Sequence, residues 1–184
     1  VFYAHRGRHP FHMKYRTGAT AVGKLTSVDA EIVLDGGAYA SFGLVTTYYA
    51  GQLLCAPYEM PAYRFDSTRV YTNKPACGPK RGHGSVQPRF AFEVQIDKLS
   101  ERLDLDPIEF RRLNFIGSNT RTINELRVTS NGFMECLESV ERESGWKDRF
   151  RRLPFGCGLG VAGSTYITGT NYPIYPNDMP QSGV

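Results

Sequence analysis

Apolar residues along this chain follow two periods, one after the other. Between residues 23 and 34, Val28, Ala30, Ile32 and Leu34 alternate with Asp29, Glu31 and Val33. A period of two sends one set of side chains into a core and the other mostly toward water, which predicts a strand. Residues 14–19 predict its neighbour, joined by a short turn at 20–23, and Asp35-Gly36-Gly37 breaks the pattern with a turn signal. Residues 44–54 are apolar and lack Gly or Pro until Gly51, so they predict a short buried helix that Pro57 and Pro61 end. Residues 66–72 read as another strand, and a loop rich in Gly and Pro covers 73–84.

Helical spacing then takes over. Phe92, Ile96, Leu99 and Leu103 recur at i, i+4, i+7 and i+11 and predict a helix over 85–103, with Gln95, Lys98 and Arg102 on its polar side. Pro88 is tolerated near its start, where a missing N–H does no harm. Asp106 followed by Pro107 signals the start of a second helix. Phe133, Cys136, Leu137 and Val140 predict a third over 132–144. Residues 156–169 read as a strand again, and 171–184 as Pro-rich coil. Strands and helices mix without a clean βαβ alternation, so the expected class is α+β, a mixed sheet with packed helices.

Composition narrows the function. The 184 residues are 41% hydrophobic and 22% charged, enough apolar surface to exclude disorder as the main state. No apolar run reaches the roughly 18 residues of a membrane span, and the first residues lack the apolar core of a signal peptide. The net charge of +4 is spread out, with basic clusters only at 6–16 and 147–152, which argues against a nucleic-acid-binding face. Cys55, Cys77, Cys136 and Cys157 contain no CxxC pair and match no iron–sulfur spacing. They are expected to be reduced, mostly buried thiols of a cytoplasmic protein.

Candidate chemistry is sparse. Gly158, Gly160 and Gly163 match G-x-G-x-x-G, yet the strand-to-helix context that a dinucleotide needs is absent, so close packing in a sheet is the simpler reading. His5, His9 and His12 cluster in sequence, but Pro10 keeps one helix from presenting them to a metal, which leaves a solvated basic segment. Glu138, Glu141 and Glu143 fall on the polar side of a helix as surface charges. There is no G-x-S-x-G elbow and no P-loop. The unusual stretch is Lys74–Gly84, directly before the best helix. Gly82 and Gly84 permit close backbone approach, and Arg81 and His83 could project a donor and a ring into one cleft.

At this loop the chain resembles a known family. Arg81-Gly82-His83-Gly84-Ser85-Val86-Gln87, preceded by Val70-Tyr71-Thr72-Asn73-Lys74-Pro75, is similar to the molybdenum-cofactor subunit of the xanthine dehydrogenase/aldehyde oxidase family. Gly7-Arg8-His9-Pro10-Phe11 resembles its G-R-H-P segment, and Asp35-Gly36-Gly37-Ala38-Tyr39 its D-x-G-A-Y stretch. Asp106-Pro107-Ile108-Glu109-Phe110-Arg111 with Asn114 is similar to its D-P-x-E-x-R-x-x-N helix. The resemblance runs from about Gly7 to Gly163.

The resemblance implies a cofactor and a chemistry. Such subunits bind molybdopterin with molybdenum, often in the cytosine dinucleotide form, and pass electrons to iron–sulfur clusters and FAD on partner domains or subunits. They hydroxylate aldehydes or aromatic N-heterocycles with water-derived oxygen, and one branch instead dehydroxylates a CoA thioester reductively. Carried over by resemblance, Arg81 and Gly82 are cofactor contacts and His83 is the substrate-facing ring. Tyr49 takes the place of an arginine that binds the substrate carbonyl in purine-oxidising members. The family's catalytic glutamate lies in a downstream segment that this chain does not contain, so no catalytic base and no metal ligand are expected here. Residues 1–155 correspond to a central part of the molybdopterin-binding domain, and 156–184 to the start of a further strand-rich part. The expected partners are the rest of that subunit, iron–sulfur and FAD subunits and a small organic substrate. A non-enzymatic fold or assembly module without metal is the alternative that the missing base leaves open.

Overall fold

A computed structural model describes residues 7–41 and 43–165. Strands β1 (Phe11–Ala19), β2 (Leu25–Asp35) and β3 (Tyr63–Val70) form one sheet in the order β1-β2-β3. β1 runs antiparallel to β2 across the turn where the Gly23 N–H meets Thr20 O, and β3 runs parallel to β2. Helix α1 (Gly43–Leu54) makes that parallel crossover, so one βαβ unit lies inside the mixed sheet. The sequence pattern missed it, because the single helix is short and apolar on most sides.

The alternation in β2 holds. Val28, Ala30, Ile32 and Leu34 are buried, and all but Ala30 are large enough to fill the layer beneath the helices. On the other face Arg16 bonds Asp29 at 2.6 Å, and the exposed Lys14 and Glu31 stand 3.9 Å apart. The main core joins this sheet face to Leu54, Cys55, Tyr58, Phe92, Ile96 and Phe110. Each fully buried aliphatic or aromatic side chain there contributes about 1.5–3 kcal/mol.

Helix α2 (Val86–Arg102) buries Phe92 and Ile96, while Leu99 and Leu103 pack at the core margin. Helix α3 (Pro107–Asn114) begins as its sequence requires. Asp106 Oδ1 accepts from the N–H groups of Ile108 and Glu109 at 2.7 and 3.2 Å, and its Oδ2 takes the Trp146 indole N–H at 2.8 Å. Two short strands, β4 (Thr120–Arg121) and β5 (Arg127–Val128), pair as a hairpin. Helices α4 (Phe133–Glu143) and α5 (Trp146–Arg149) follow, and Ile108, Leu137 and Trp146 form a second small core.

Several sequence expectations change. Residues 156–165 form no strand, because no neighbouring strand offers them a ladder; residues 166–169 and the coil at 171–184 lie outside the described residues. Of the α4 stripe, only Leu137 is buried; Cys136 and Val140 are exposed. The cysteines therefore divide, with Cys55 and Cys77 buried, Cys136 and Cys157 exposed, and all four free thiols. Glu141 is not a plain surface charge. Its side chain is 13% exposed and bonds Arg112 at 2.9 Å and Lys147 at 3.4 Å, because α3 and α5 flank it. Among the described residues, no helix is long and apolar enough to cross a membrane.

Candidate functional site

The loop before α2 is built by segments far apart in sequence. Gly78 N–H donates to Gly7 O at 3.0 Å, and Arg8 Nη2 to the Arg81 carbonyl at 2.9 Å. Gln87 Nε2 donates to His9 O at 2.8 Å. One chain segment, 7–9, thus ties down the entry, the tip and the exit of the loop.

A second support comes from the turn after β2. Asp35 accepts from Gly37 N–H at 3.0 Å, Thr72 Oγ1 at 2.6 Å and Lys74 Nζ at 2.6 Å. The Lys74, Thr72 and Gly37 bonds, in that order, hold its carboxyl down at about 2. Backbone bonds from Thr72 to Gly37, Ala38 to Lys74 and Cys77 to Gly36 lace the two loops together. Arg69 Nη2 adds donations to Gly36 O and Tyr39 O. The result is a double loop at the C-terminal ends of β2 and β3, with many of its backbone groups paired.

Inside it, Gly82 and Gly84 have φ of +71° and +82°. Only glycine adopts those angles without strain. A Cβ on Gly84 would stand 2.2 Å from Thr46 O, so the close backbone approach foreseen there is to helix α1. On Gly82 it would meet side chains alone, Val86 at 2.8 Å and Ser85 Oγ at 3.5 Å, beside a cavity of about 420 Å³ under Ser85 and Arg89. Ser85 Oγ closes the turn on Gly82 O at 2.9 Å.

The residues singled out from sequence come together. Arg81 is exposed at the loop tip, Gly82 is buried, and His83 is half-buried. The His83 ring stands edge-on to Tyr49, centroids 4.9 Å apart at 89°. Tyr49 itself is 5% exposed and lies beneath that ring. Burial, then the nearby Arg8 charge, lowers the His83 pKa below the ordinary imidazole value, so the ring is neutral at pH 7.

His9 corrects the expectation of a solvated basic segment. It is 2% exposed, pinned under the loop, and burial followed by the Arg69 charge lowers its pKa. His12 is exposed on β1, and His5 lies outside the described residues. Among the described residues, no three His, Cys, Asp or Glu side chains converge as metal ligands. Gly158 and Gly160 face open space, so their spacing marks neither a nucleotide cradle nor sheet packing.

Sequence reasoning missed the frame. The G-R-H-P and D-G-G-A-Y segments were visible as motifs, but nothing local shows that their backbones carry the loop. It also missed Arg89, which is buried and donates through Nη2 to Leu53 O at the C-terminal end of α1. A cation suits that end of a helix.

Polar atoms are left unpaired beside the loop. Arg8 Nη1, His9 Nε2 and Gln87 Oε1 are buried beside it and bond no group among the described residues. A polar molecule at the loop would satisfy such atoms, and buried polar atoms strongly favour a partner.

Comparison with known proteins places the chain in a family. The family model of a molybdopterin cofactor-binding domain matches residues 1–115. The nicotinate dehydrogenase large molybdopterin subunit of Eubacterium barkeri is 37% identical over 139 residues, 74% of this chain and 32% of that protein. A probable xanthine dehydrogenase subunit of Bacillus subtilis is 39% identical over 158 residues, 84% of this chain and 21% of that protein. The aldehyde oxidoreductase structure from Desulfovibrio desulfuricans superposes with a TM-score of 0.70 at 28% identity, over 78% of this chain and 16% of the other. Quinoline 2-oxidoreductase from Pseudomonas putida shares the fold, with a TM-score of 0.75 at 22% identity over 80% of this chain and 20% of the other. The chain therefore spans a third or less of the length of these relatives. By the match over residues 1–115, it belongs to the molybdopterin cofactor-binding domain family.

Proposed function

We propose that this chain is the central segment of the large subunit of a molybdenum hydroxylase. Residues 1–155 belong to its molybdopterin-binding domain, and 156–184 open a further strand-rich part of the same subunit. The enzyme oxidises an aldehyde or an aromatic N-heterocycle with oxygen derived from water, and the loop Arg81–Gly84 forms one wall of its active site. The observation that carries this reading is the convergence of two separated segments on that loop: 7–9 holds its entry, tip and exit, and 35–38 brace the chain at 70–77 that leads into it.

In this reading Arg81 and Gly82 contact molybdopterin through their backbone, which the Arg8 bond to Arg81 O and the positive φ of Gly82 hold in place. When bound, molybdopterin in its cytosine dinucleotide form would supply a two-electron metal centre, with iron–sulfur clusters and FAD on partner subunits as its electron acceptors. His83, neutral and half-buried, packs its ring on the substrate. Tyr49 supports that ring from beneath, and it would reach a substrate only if His83 swung aside. The base that takes the proton from water-derived oxygen stands outside these residues, so the chain purified alone has no turnover and no stoichiometric molybdenum.

Steady-state kinetics and molybdenum content of the complete enzyme test the reading. His83→Ala lowers kcat/KM by about 2- to 10-fold with metal retained, the value of a packing ring beyond its buried area. Gly82→Val loses molybdenum, since a β-branched residue is strained at positive φ. Unchanged kcat/KM in the first together with full metal in the second would remove the loop from the active site.

A further inference from the structure

Helix α1 is poorly equipped to hold its own end. It carries Val45, Thr46 and Thr47 in a row and Gly51 near its finish, all weak helix formers, and no basic residue stands in its last turn. The last four carbonyls of a helix find no partner within it. Here three of those four are met by side chains from three other parts of the chain. Tyr63 on β3 donates its hydroxyl to Gly51 O at 2.8 Å. Asn124, on the turn between β4 and β5, reaches Gly51 O and Gln52 O from Nδ2 at 3.1 and 3.3 Å. Arg89 on α2 donates to Leu53 O. Gln52 Nε2 returns a bond to Asn124 O at 2.9 Å.

The same end of α1 rests directly on β3. A Cβ on Gly51 would stand 2.5 Å from the Phe65 ring, and Phe65 stacks on Tyr63 with centroids 6.3 Å apart. One turn before Gln52, Tyr49 stands edge-on beneath His83. A turn earlier still, Thr46 O lies 2.2 Å from where a Cβ on Gly84 would be. Close-packed interiors transmit a displacement rather than absorb it. The turn that carries Asn124 is itself closed, since Thr122 O accepts from Glu125 N–H at 2.9 Å and Thr122 Oγ1 from Leu126 N–H at 3.1 Å. A run of tight contacts thus leads from that turn, through α1, to the ring at the loop.

We propose that Asn124 and Tyr63 are positioning residues for the substrate-facing ring: by clamping the C-terminal end of α1 they fix Tyr49, and through it the place where His83 stands. The substrate side of this proposal rests on the proposed function, which sets His83 against the substrate. Both residues lie outside the motifs that mark the loop. Their effect on the site passes through α1, so it is bounded by what the His83 ring is worth.

Fluorine NMR on the complete enzyme, with 3-fluorotyrosine in place of Tyr49, tests the clamp. His83→Ala moves the resonance and calibrates the reporter. Tyr63→Phe, which removes one hydroxyl and keeps the ring, moves it too, and so does Asn124→Ala. Gly51→Ala moves it by forcing α1 off Phe65, and Phe65→Leu added to Gly51→Ala moves it back. A resonance that stays put in Tyr63→Phe and Asn124→Ala overturns the proposal, as does a double variant that behaves like Gly51→Ala alone. Kinetics with benzaldehyde and with phthalazine, an aldehyde and an N-heterocycle, then show whether the effect runs through the ring. Each clamp variant raises KM by about 2- to 10-fold, at most the effect of losing the ring, with kcat and molybdenum retained. In a His83→Ala background neither adds anything, because residues that act through one group are not additive. Fold-changes that multiply overturn the proposal. A moved resonance with no turnover of either compound sinks the proposed function and leaves the clamp standing, and full turnover with an unmoved resonance sinks the clamp alone.

Discussion

Helix α2 joins two motif-bearing regions of opposite character. At its start, the Arg81–Gly84 loop is held by backbone bonds and leaves polar side-chain atoms unspent around it. Along its middle, α2 meets the D-P-I-E-F-R helix through a buried ion pair. Arg111, with no exposed surface, donates through Nε and Nη2 to Glu93 at 2.9 and 2.8 Å, and through Nη1 to Pro107 O; Asp97 lies 2.8 Å away. Asn114 bonds Leu25 N–H, Gly23 O and Phe110 O, each at 2.8 Å. Both regions lie within the part of the chain that matches the family. In the second region Arg111 and Asn114 bond wholly within the fold and serve as frame, although Glu93 Oε1 is buried without a partner among the described residues; around the loop Arg8, His9 and Gln87 each keep such an atom, which the proposed function gives to a ligand. Resemblance alone does not identify the frame, whereas the fully bonded Arg111 and Asn114 do.

The largest effect that could break this comparison is at Arg111. Arg111→Met leaves the Glu93 carboxylate buried without its cation and lowers stability by about 3–5 kcal/mol. Chemical denaturation measures it, and a loss under about 1 kcal/mol would mean that the pair is not frame. Next comes Gly84→Ala, where a Cβ meets Thr46 O and φ is positive; the expected loss is about 1–3 kcal/mol. Gly82→Ala also sits at positive φ but meets side chains, Val86 and Ser85 Oγ, rather than backbone, so it costs less stability than Gly84→Ala. If thermal denaturation ranked them the other way, the division of labour between the two glycines would be wrong.

Asp106→Ala removes the cap of α3 and the partner of Trp146, with an expected loss of about 0.5–2 kcal/mol. The smallest effect is pH dependence at the loop. His9 and His83 both have lowered folded pKa values against an ordinary 6.5. Below that value the unfolded chain takes up protons that the folded chain refuses, so this contribution is fully present above pH 6.5 and is lost as pH falls. Thermal midpoints therefore drop from pH 7.5 to 5.5, and a His9→Gln/His83→Tyr variant flattens the slope. An unchanged slope would place the acid sensitivity elsewhere.

Local patterns determined a good deal by themselves. The alternation in β2, the stripe of α2 and the Asp106-Pro107 start of α3 all rest on interactions within a few residues, and each appears as its pattern predicts. The loop was legible as a place, because two glycines flanking one ring have a local conformational meaning. Tertiary structure decided the rest. His9 is buried only because the 78–87 loop folds over it, and Arg111 is frame only because Glu93 on another helix faces it. Residues 156–165 have a strand's period and no strand, because pairing needs a second chain segment that no local pattern can supply. Side-chain period reports which face is apolar, a property of neighbours in sequence. Burial, charge pairing and strand ladders depend on neighbours in space.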